Sequence, residues 1–578
     1  MPGLADPGRR VVTERADPDG GEAVLAACRS LGVDVIFCSS GSEWAPVWEA
    51  LARQERDGTD GPRYLDLLHE TLAVAMATGY SLVTRRPQLV LLHAGPGLLQ
   101  GANGIHGALL SNVPMVVCSA ESVSYGEGPL DPGSQWYRNL SIVGGPQAMA
   151  APFVKWSNQA ATSAVAHGMV IRAAEMAQRP PAGPVYLNIP VEALLEPWEP
   201  PASDRPVPPP GQTVAAPGDV AAVAATLAAA RQPLIITESA GRDPAAFGAL
   251  VELAETLAIG VAEPQSAVCT NFPATHPLHQ GEQAGRLAAE ADVILLVGCR
   301  APWYPPSARP AQATVVAVDD APHREYLAYQ VLGADAYLEG GIAATLDALT
   351  GAVRQAGFDS GLAEARRAEL TAARERRAAR QADDEKPDPG AEGVDPAYLV
   401  ATLRELLGPD ATVVDETITH SRTVRKHLNA DRPGRYTYVQ GGLGQGIGVA
   451  LGVKLAQPDR EVALVVGDGS FLYNPIVQSL AASAELGLPV LIVVFNNHEY
   501  RSMKLNHLRF YPDGAAVATG RFHGVDLGAQ PDLAQLPAAF DMEGFSVTQA
   551  SELPAILAEA LKSVRDGRTA LVNVHVTR

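Results

Sequence analysis

The stretch from Glu461 to Tyr500 constrains the fold more than any other part of the chain. Val462 to Val466 and Val490 to Phe495 are short, uninterrupted apolar runs rich in β-branched residues, the pattern of parallel strands covered on both faces. Between them Ile476, Val477, Leu480 and Leu486 recur at helical spacing, and Gly487-Leu488-Pro489 closes the segment, so a helix of about three turns is expected. The unit is β-α-β. Ligands of open α/β sheets bind beyond the carboxyl ends of the strands. Asp468 and Asn497 both follow such ends, which brings a carboxylate and an amide oxygen to one edge.

Those two groups make a poor zinc site and a good partial magnesium site. Mg²⁺ prefers hard oxygens in an octahedron and takes the remaining ligands from phosphate and water. Gly467 and Gly469 flank Asp468 and allow a sharp turn, followed by Ser470, whose backbone N–H groups can face a diphosphate at a helix start. The alternative is an ordinary βαβ unit with a Gly-rich turn and a chance pair of asparagines.

The 578 residues are enough for three or four domains. A formal charge of −20 argues against nucleic acid and anionic membranes as partners. No apolar run approaches the length of a membrane span, and Met1 to Gly21 lacks a signal-peptide core. The five cysteines form no CxxC pair and most sit in apolar runs, so they read as buried thiols of a cytoplasmic protein.

Strand-like runs alternate with helical segments in three blocks, which implies parallel sheets in a doubly wound α/β fold. The expected organisation is an arm over 1–21, a first domain over 22–197, a Pro-rich linker over 198–217 and a second domain over 218–351. A charged helix and linker over 352–394 and a third domain over 395–578 complete it. The charged helix, with opposite-sign pairs at i,i+4, reads as a solvated connector.

The GDG turn of Gly467-Asp468-Gly469 followed by Asn496-Asn497 resembles the signature of thiamine diphosphate (ThDP) enzymes. The three α/β blocks resemble the pyrimidine-binding, central and diphosphate-binding domains of the pyruvate decarboxylase and acetolactate synthase-like branch. The resemblance implies ThDP and Mg²⁺ as cofactors, with the metal held by Asp468, Asn497 and the backbone carbonyl of Glu499. It also implies that Gly467, Gly469 and Ser470 shape the diphosphate turn, with Thr419 and Tyr500 as further contacts. His69-Glu70 before an Ala-rich helix is similar to the family's pyrimidine-activating glutamate, which makes Glu70 the catalytic candidate. In Tyr438 to Gly444 the backbone of Gly441 would meet the pyrimidine amine, and Leu443 would wedge between the two cofactor rings.

Ser42, His93 and His276 resemble the Ser, His and His around the reacting carbon in benzoylformate decarboxylase, and RPPAGPVYLNIP is similar as well. Histidines titrating near neutrality suit proton transfer, and a serine hydroxyl suits a substrate carboxylate. The resemblance implies cleavage of a 2-oxo acid through a carbanion–enamine intermediate, with carboligation to an aldehyde or oxo acid as an accompanying activity. An acetolactate synthase-like joining of two 2-oxo acids is the alternative. A cofactor-binding regulatory subunit without turnover is a third reading, opposed by the joint presence of Glu70, Asp468 and Asn497. Some relatives carry FAD in the central domain, but no G-x-G-x-x-G motif supports it here. A homodimer or homotetramer with the active site at the subunit interface is implied by the family. Ile418, Gln440 and His498-Glu499 depart from the family pattern, and Arg501 to Leu527, which would wall the substrate pocket, departs most.

Overall fold

Runs such as Val35–Cys38, Gln88–Leu91 and Leu491–Asn496 bury every side chain, because helices cover both faces of the sheets they form. A computed structural model describes residues 18–136, 140–202, 205–327, 330, 333–388 and 390–577. The chain divides into two units, Met1–Pro210 and Gly211–Arg578.

The first unit holds one parallel six-stranded sheet: β1 (Val35–Cys38), β2 (Arg63–Asp66), β3 (Gln88–Leu91), β4 (Met115–Ser119), β5 (Ser157–Gln159) and β6 (Pro184–Asn188). Their order is β2-β1-β3-β4-β6-β5. Most of the expected arm lies outside the described residues. The first helix nevertheless starts at Gly20, inside the segment expected to be arm, because Asp19 caps it and pairs with Arg53 at 3.1 Å.

The second unit holds two parallel sheets. The central one contains β7 (Pro233–Thr237), β8 (Gly260–Ala262), β9 (Val293–Val297), β10 (Thr314–Asp319) and β11 (Ala336–Glu339), in the order β11-β10-β9-β7-β8. The other contains β12 (Thr412–Glu416), β13 (Tyr436–Tyr438), β14 (Val462–Gly467), β15 (Leu491–Asn496), β16 (Glu543–Val547) and β17 (Ala570–His575), in the order β13-β12-β14-β15-β17-β16. First and third sheets thus share one winding, and each reverses between its first and third strands, the position where such sheets bind ligands. Register pairs Glu416 with Val466, Gly467 with Phe495 and Asn496 with His575, so polar residues at these strand ends line one edge.

The expected three-turn helix stands at Ile476–Leu486, and a separate short helix, Asp468–Tyr473, precedes it; Pro475 stands between them, and Asn474 Nδ2 donates to Glu416 Oε2 at 3.1 Å. Val477 in the longer helix is 63% exposed. The Ser360–Asp384 helix is more than a solvated connector. Arg366 donates to the carbonyl of Ala230 at 3.1 Å and Arg374 to that of Ala274 at 3.0 Å, fastening the helix to the central domain. Among the described residues no helix is long and apolar enough to cross a membrane.

Candidate active site

The carboxyl ends of β1, β2 and β3 deliver the first group of side chains. Beyond β2, His69 caps the helix Glu70–Thr84 by accepting the Thr71 N–H at Nδ1, 3.1 Å away, which fixes Glu70 as the first helical residue. Beyond β3, His93 precedes Gly95, whose φ of +62° starts the turn into the helix Pro96–Leu110. Gly97 lies against both functional residues. A Cβ there would stand 2.8 Å from His93 Cβ and 3.1 Å from Glu70 Oε1, so the missing side chain is what lets the imidazole and carboxylate approach.

Beyond β1, Ser42 opens a short 3₁₀ turn, is exposed, and accepts a hydrogen bond from Gln135 Nε2 at 3.1 Å. Its neighbour Glu43 carries no motif of its own, yet its side chain is fully buried and meets His93 Nδ1 at 2.8 Å. The same carboxylate accepts the Ala94 N–H at 2.7 Å. Its hydrogen bond raises the His93 pKa above the ordinary 6.5; burial opposes the shift, and the charges of Glu43 and Glu70 add to it. Ser42, His93 and Glu70 therefore sit around the winding reversal of the first sheet, with Glu43 orienting the imidazole.

The third sheet carries a second polar edge. Asp468 is buried and accepts three hydrogen bonds from neutral donors: Gly469 N–H at 2.9 Å, His498 N–H at 2.8 Å and Gln530 Nε2 at 3.0 Å. Burial raises its pKa above the ordinary 3.8. Asn497 is buried beside it and accepts the Glu499 N–H at 3.0 Å, while His498 holds a left-handed φ of +59° that turns the chain at this point. Gly469 is required by close approach, because a Cβ there would run into the Tyr500 ring.

The network reaches residues with no sequence motif. Asn496 Nδ2 donates to Gln530 Oε1 and to Asn573 Oδ1, both at 3.1 Å, and His498 Nε2 lies 3.4 Å from His575 Nδ1. Asn573 and His575 belong to the last strand, whose alternation of apolar and polar residues at its end is the only signal for them. Across the edge Glu416 is fully buried and accepts from Gln445 N–H at 2.9 Å and Asn474 Nδ2 at 3.1 Å; burial lifts its pKa to about 7. Gly441 has a φ of +98° and is exposed, and Leu443 is half-buried; both precede the helix Gly446–Ala456.

The donors fit a hard divalent cation. Asp468 lacks a cationic side-chain partner among the described residues, so its buried charge calls for a counterion. Its carboxylate, the Asn497 amide oxygen and the Glu499 carbonyl are all oxygens, and no cluster of three or more His, Cys, Asp or Glu residues suited to a metal occurs among the described residues. A set with one carboxylate suits Mg²⁺ that completes its shell with phosphate and water.

His276 is held by partners in the central domain, and Thr419 lies in the turn after β12, which packs against β14. His276 accepts the Leu278 N–H at Nδ1 (3.1 Å), meets Glu255 at Nε2 (3.2 Å) and packs edge-on to Phe272, all within the central domain. Thr419 is half-buried in the 3₁₀ turn Ile418–His420, after Ile418 with its φ of +53°, and lines a cavity with Arg422 and Arg425.

Models of the thiamine pyrophosphate enzyme domains match three segments: the N-terminal TPP binding domain over 18–143, the central domain over 220–349 and the C-terminal TPP binding domain over 418–574. The benzoylformate decarboxylase of Pseudomonas aeruginosa is 29% identical over 82% of this chain and 85% of its own. The acetolactate synthase isozyme 3 large subunit of Escherichia coli K12 is 27% identical over 96% of this chain and 94% of its own. The fold matches the thiamine diphosphate-dependent 4-hydroxybenzoylformate decarboxylase of Rhodococcus jostii RHA1 with a TM-score of 0.79 at 24% identity, covering 97% of this chain and 99% of that one. With all three domains matched in order, the chain belongs to the thiamine diphosphate-dependent enzymes of the decarboxylase and synthase superfamily.

Proposed function

We propose that the chain decarboxylates a 2-oxo acid with ThDP and Mg²⁺ and passes the resulting acyl unit to a proton or to an aldehyde acceptor. The observation that carries this reading is the His93–Glu43 pair beside Glu70, with the exposed Ser42 on the adjacent turn. Decarboxylation removes a carboxylate and then needs a proton at the same carbon. An imidazole whose protonated form a buried carboxylate favours suits the second task, and a serine hydroxyl suits recognition of the first.

When bound, ThDP supplies a carbon nucleophile and an electron sink. Glu70 would hold and exchange a proton at the pyrimidine nitrogen, and Gly441 would accept the amine through its backbone. Leu443 would pack between the rings. Asp468, Asn497 and the Glu499 carbonyl would hold Mg²⁺, while Gly467, Gly469, Ser470, Thr419 and Tyr500 would border the diphosphate. We assign no proton transfer to His276, since both ring nitrogens already have partners.

Joining of two 2-oxo acids is the second reading, favoured by the larger share of this chain that aligns with the E. coli acetolactate synthase subunit, 96% against 82% for the benzoylformate decarboxylase. Product analysis with pyruvate and with benzoylformate separates them. Carbon dioxide with aldehyde, or with an aldehyde adduct, supports the first; acetolactate as the sole product, or a bound flavin spectrum, supports the second.

A further inference from the structure

The second unit contains a cavity of about 940 Å³ whose walls are the helix Ser360–Asp384, the helix Ser421–Leu428 with the residues before it, and the segment from Glu263 to Gln283. None of Asp468, Asn497 or Gly441 lines it, and of the residues proposed above to border the diphosphate only Thr419 reaches its wall. In a chain of net charge −20, its walls are positive: Arg374, Arg377, Arg380, Arg422, Arg425 and Lys426 surround it against four carboxylates. Glu282 is shared, because Arg422 and Arg425 both pair with that one carboxylate. Arg374, Arg377 and Arg380 recur every three residues and so present their guanidinium groups on one side of their helix.

Like charges brought together need a reason. Arg377 donates to Gln280 Oε1 at 2.9 Å, and burial with the neighbouring arginines pulls its pKa down to about 10. Arg380 makes no hydrogen bond or ion pair with any described residue. Facing this helix, Thr270 is 5% exposed, yet its Oγ1 has no partner. His279 Nε2 is also buried without a hydrogen bond, 3.5 Å from Glu263. A buried hydroxyl left unsatisfied costs stability unless something in the cavity completes it.

We propose that this cavity is a binding site for a phosphate-bearing anion, held by Arg380 and Arg374 on one wall and by the Thr270 hydroxyl on the other. Guanidinium groups match phosphate geometry through paired N–H donors, and a threonine hydroxyl adds a neutral donor. The ligand chemistry is the phosphoryl group, whether free or esterified. Its occupancy would brace the Ser360–Asp384 helix against the central domain and the start of the helix Ser421–Leu428.

The test uses the full chain saturated with ThDP and Mg²⁺, so that diphosphate-binding groups elsewhere are occupied. Inorganic phosphate is titrated by calorimetry, and melting is compared with chloride at equal ionic strength. Phosphate should bind and raise the melting temperature beyond chloride. Thr270→Val keeps shape and backbone and should melt no lower in chloride, while Arg380→Gln alters an exposed side chain. Each should weaken phosphate binding about tenfold, the loss of one charge-assisted hydrogen bond. Glycerol 3-phosphate binding more tightly than phosphate identifies an ester as the ligand; equal affinity identifies the free anion. Phosphate and chloride acting alike, or both variants binding phosphate as the parent does, would overturn the proposal.

Discussion

His93 Nδ1 lies 2.8 Å from Oε1 of Glu43, a residue whose side chain is wholly buried between β1 and the turn after β3. Fifty positions of sequence separate the two, and they meet because β1 and β3 are neighbours in the sheet. The carboxylate is anchored by the Ala94 N–H, so it fixes the imidazole in place as well as favouring its protonated form.

Glu43→Gln keeps an acceptor for Ala94 N–H and removes the charge. The folded pKa of His93 is raised above 6.5, so the stability it contributes is complete below 6.5 and is lost as pH rises through the folded value. In the variant that window closes to lower pH. The limb of the kcat/KM profile set by His93 should move to lower pH, and turnover at neutral pH should fall by about tenfold or more. An unmoved profile would remove His93 from the proton path.

Gly97→Ala places a methyl group 2.8 Å from His93 Cβ, which is no flexible side-chain end. Alanine is intrinsically better than glycine in a helix, so unfolding is not the expected outcome. Displacement of His93 and Glu70 should cost about 10²-fold in kcat, as for small misplacements of reacting groups, with a native melting profile. Full activity in this variant would show that the close approach has no catalytic use.

Asp468→Ala removes the one carboxylate of the proposed cation site. In the parent chain Mg²⁺ with ThDP should raise the melting temperature, by about 2.7 kcal/mol of stability at a hundred times the dissociation constant. The variant should show no such response, and EDTA should erase it in the parent. An equal response in both would place the metal elsewhere.

His276→Ala breaks the link to Glu255 and to the Leu278 N–H. The expected result is a loss of about 1 kcal/mol of stability with kcat changed less than about twofold. A large fall in kcat without loss of stability would restore His276 to the chemistry.

The strands were legible because buried parallel sheets demand continuous apolar runs, and Val462–Gly467 and Leu491–Asn496 fall within a residue of where those runs place them. The polar groups after them were legible for the same reason: a carboxylate and an amide at adjacent strand ends have few other uses. Glu43 was not, since its value depends on a strand adjacency that no local pattern encodes. His276 was singled out by its loop, while its partner Glu255, on the helix before that loop, had no local signal. The arginines of the Ser360–Asp384 helix alternate with acids as a solvated face would. Their length lets them reach carbonyls and a cavity that only the fold creates.

Glu70 is the residue proposed to contact the cofactor's pyrimidine nitrogen and activate it, so its removal bears on everything downstream. The direct measurement is Glu70→Gln, with ThDP affinity determined by calorimetry in the presence of Mg²⁺ and carbon dioxide release followed with the best 2-oxo acid substrate. Cofactor affinity should stay within a few fold of the parent, and carbon dioxide release should fall by about 10²-fold or more. Unchanged release would contradict the assigned role, and so would a loss of ThDP binding large enough to explain the lost turnover.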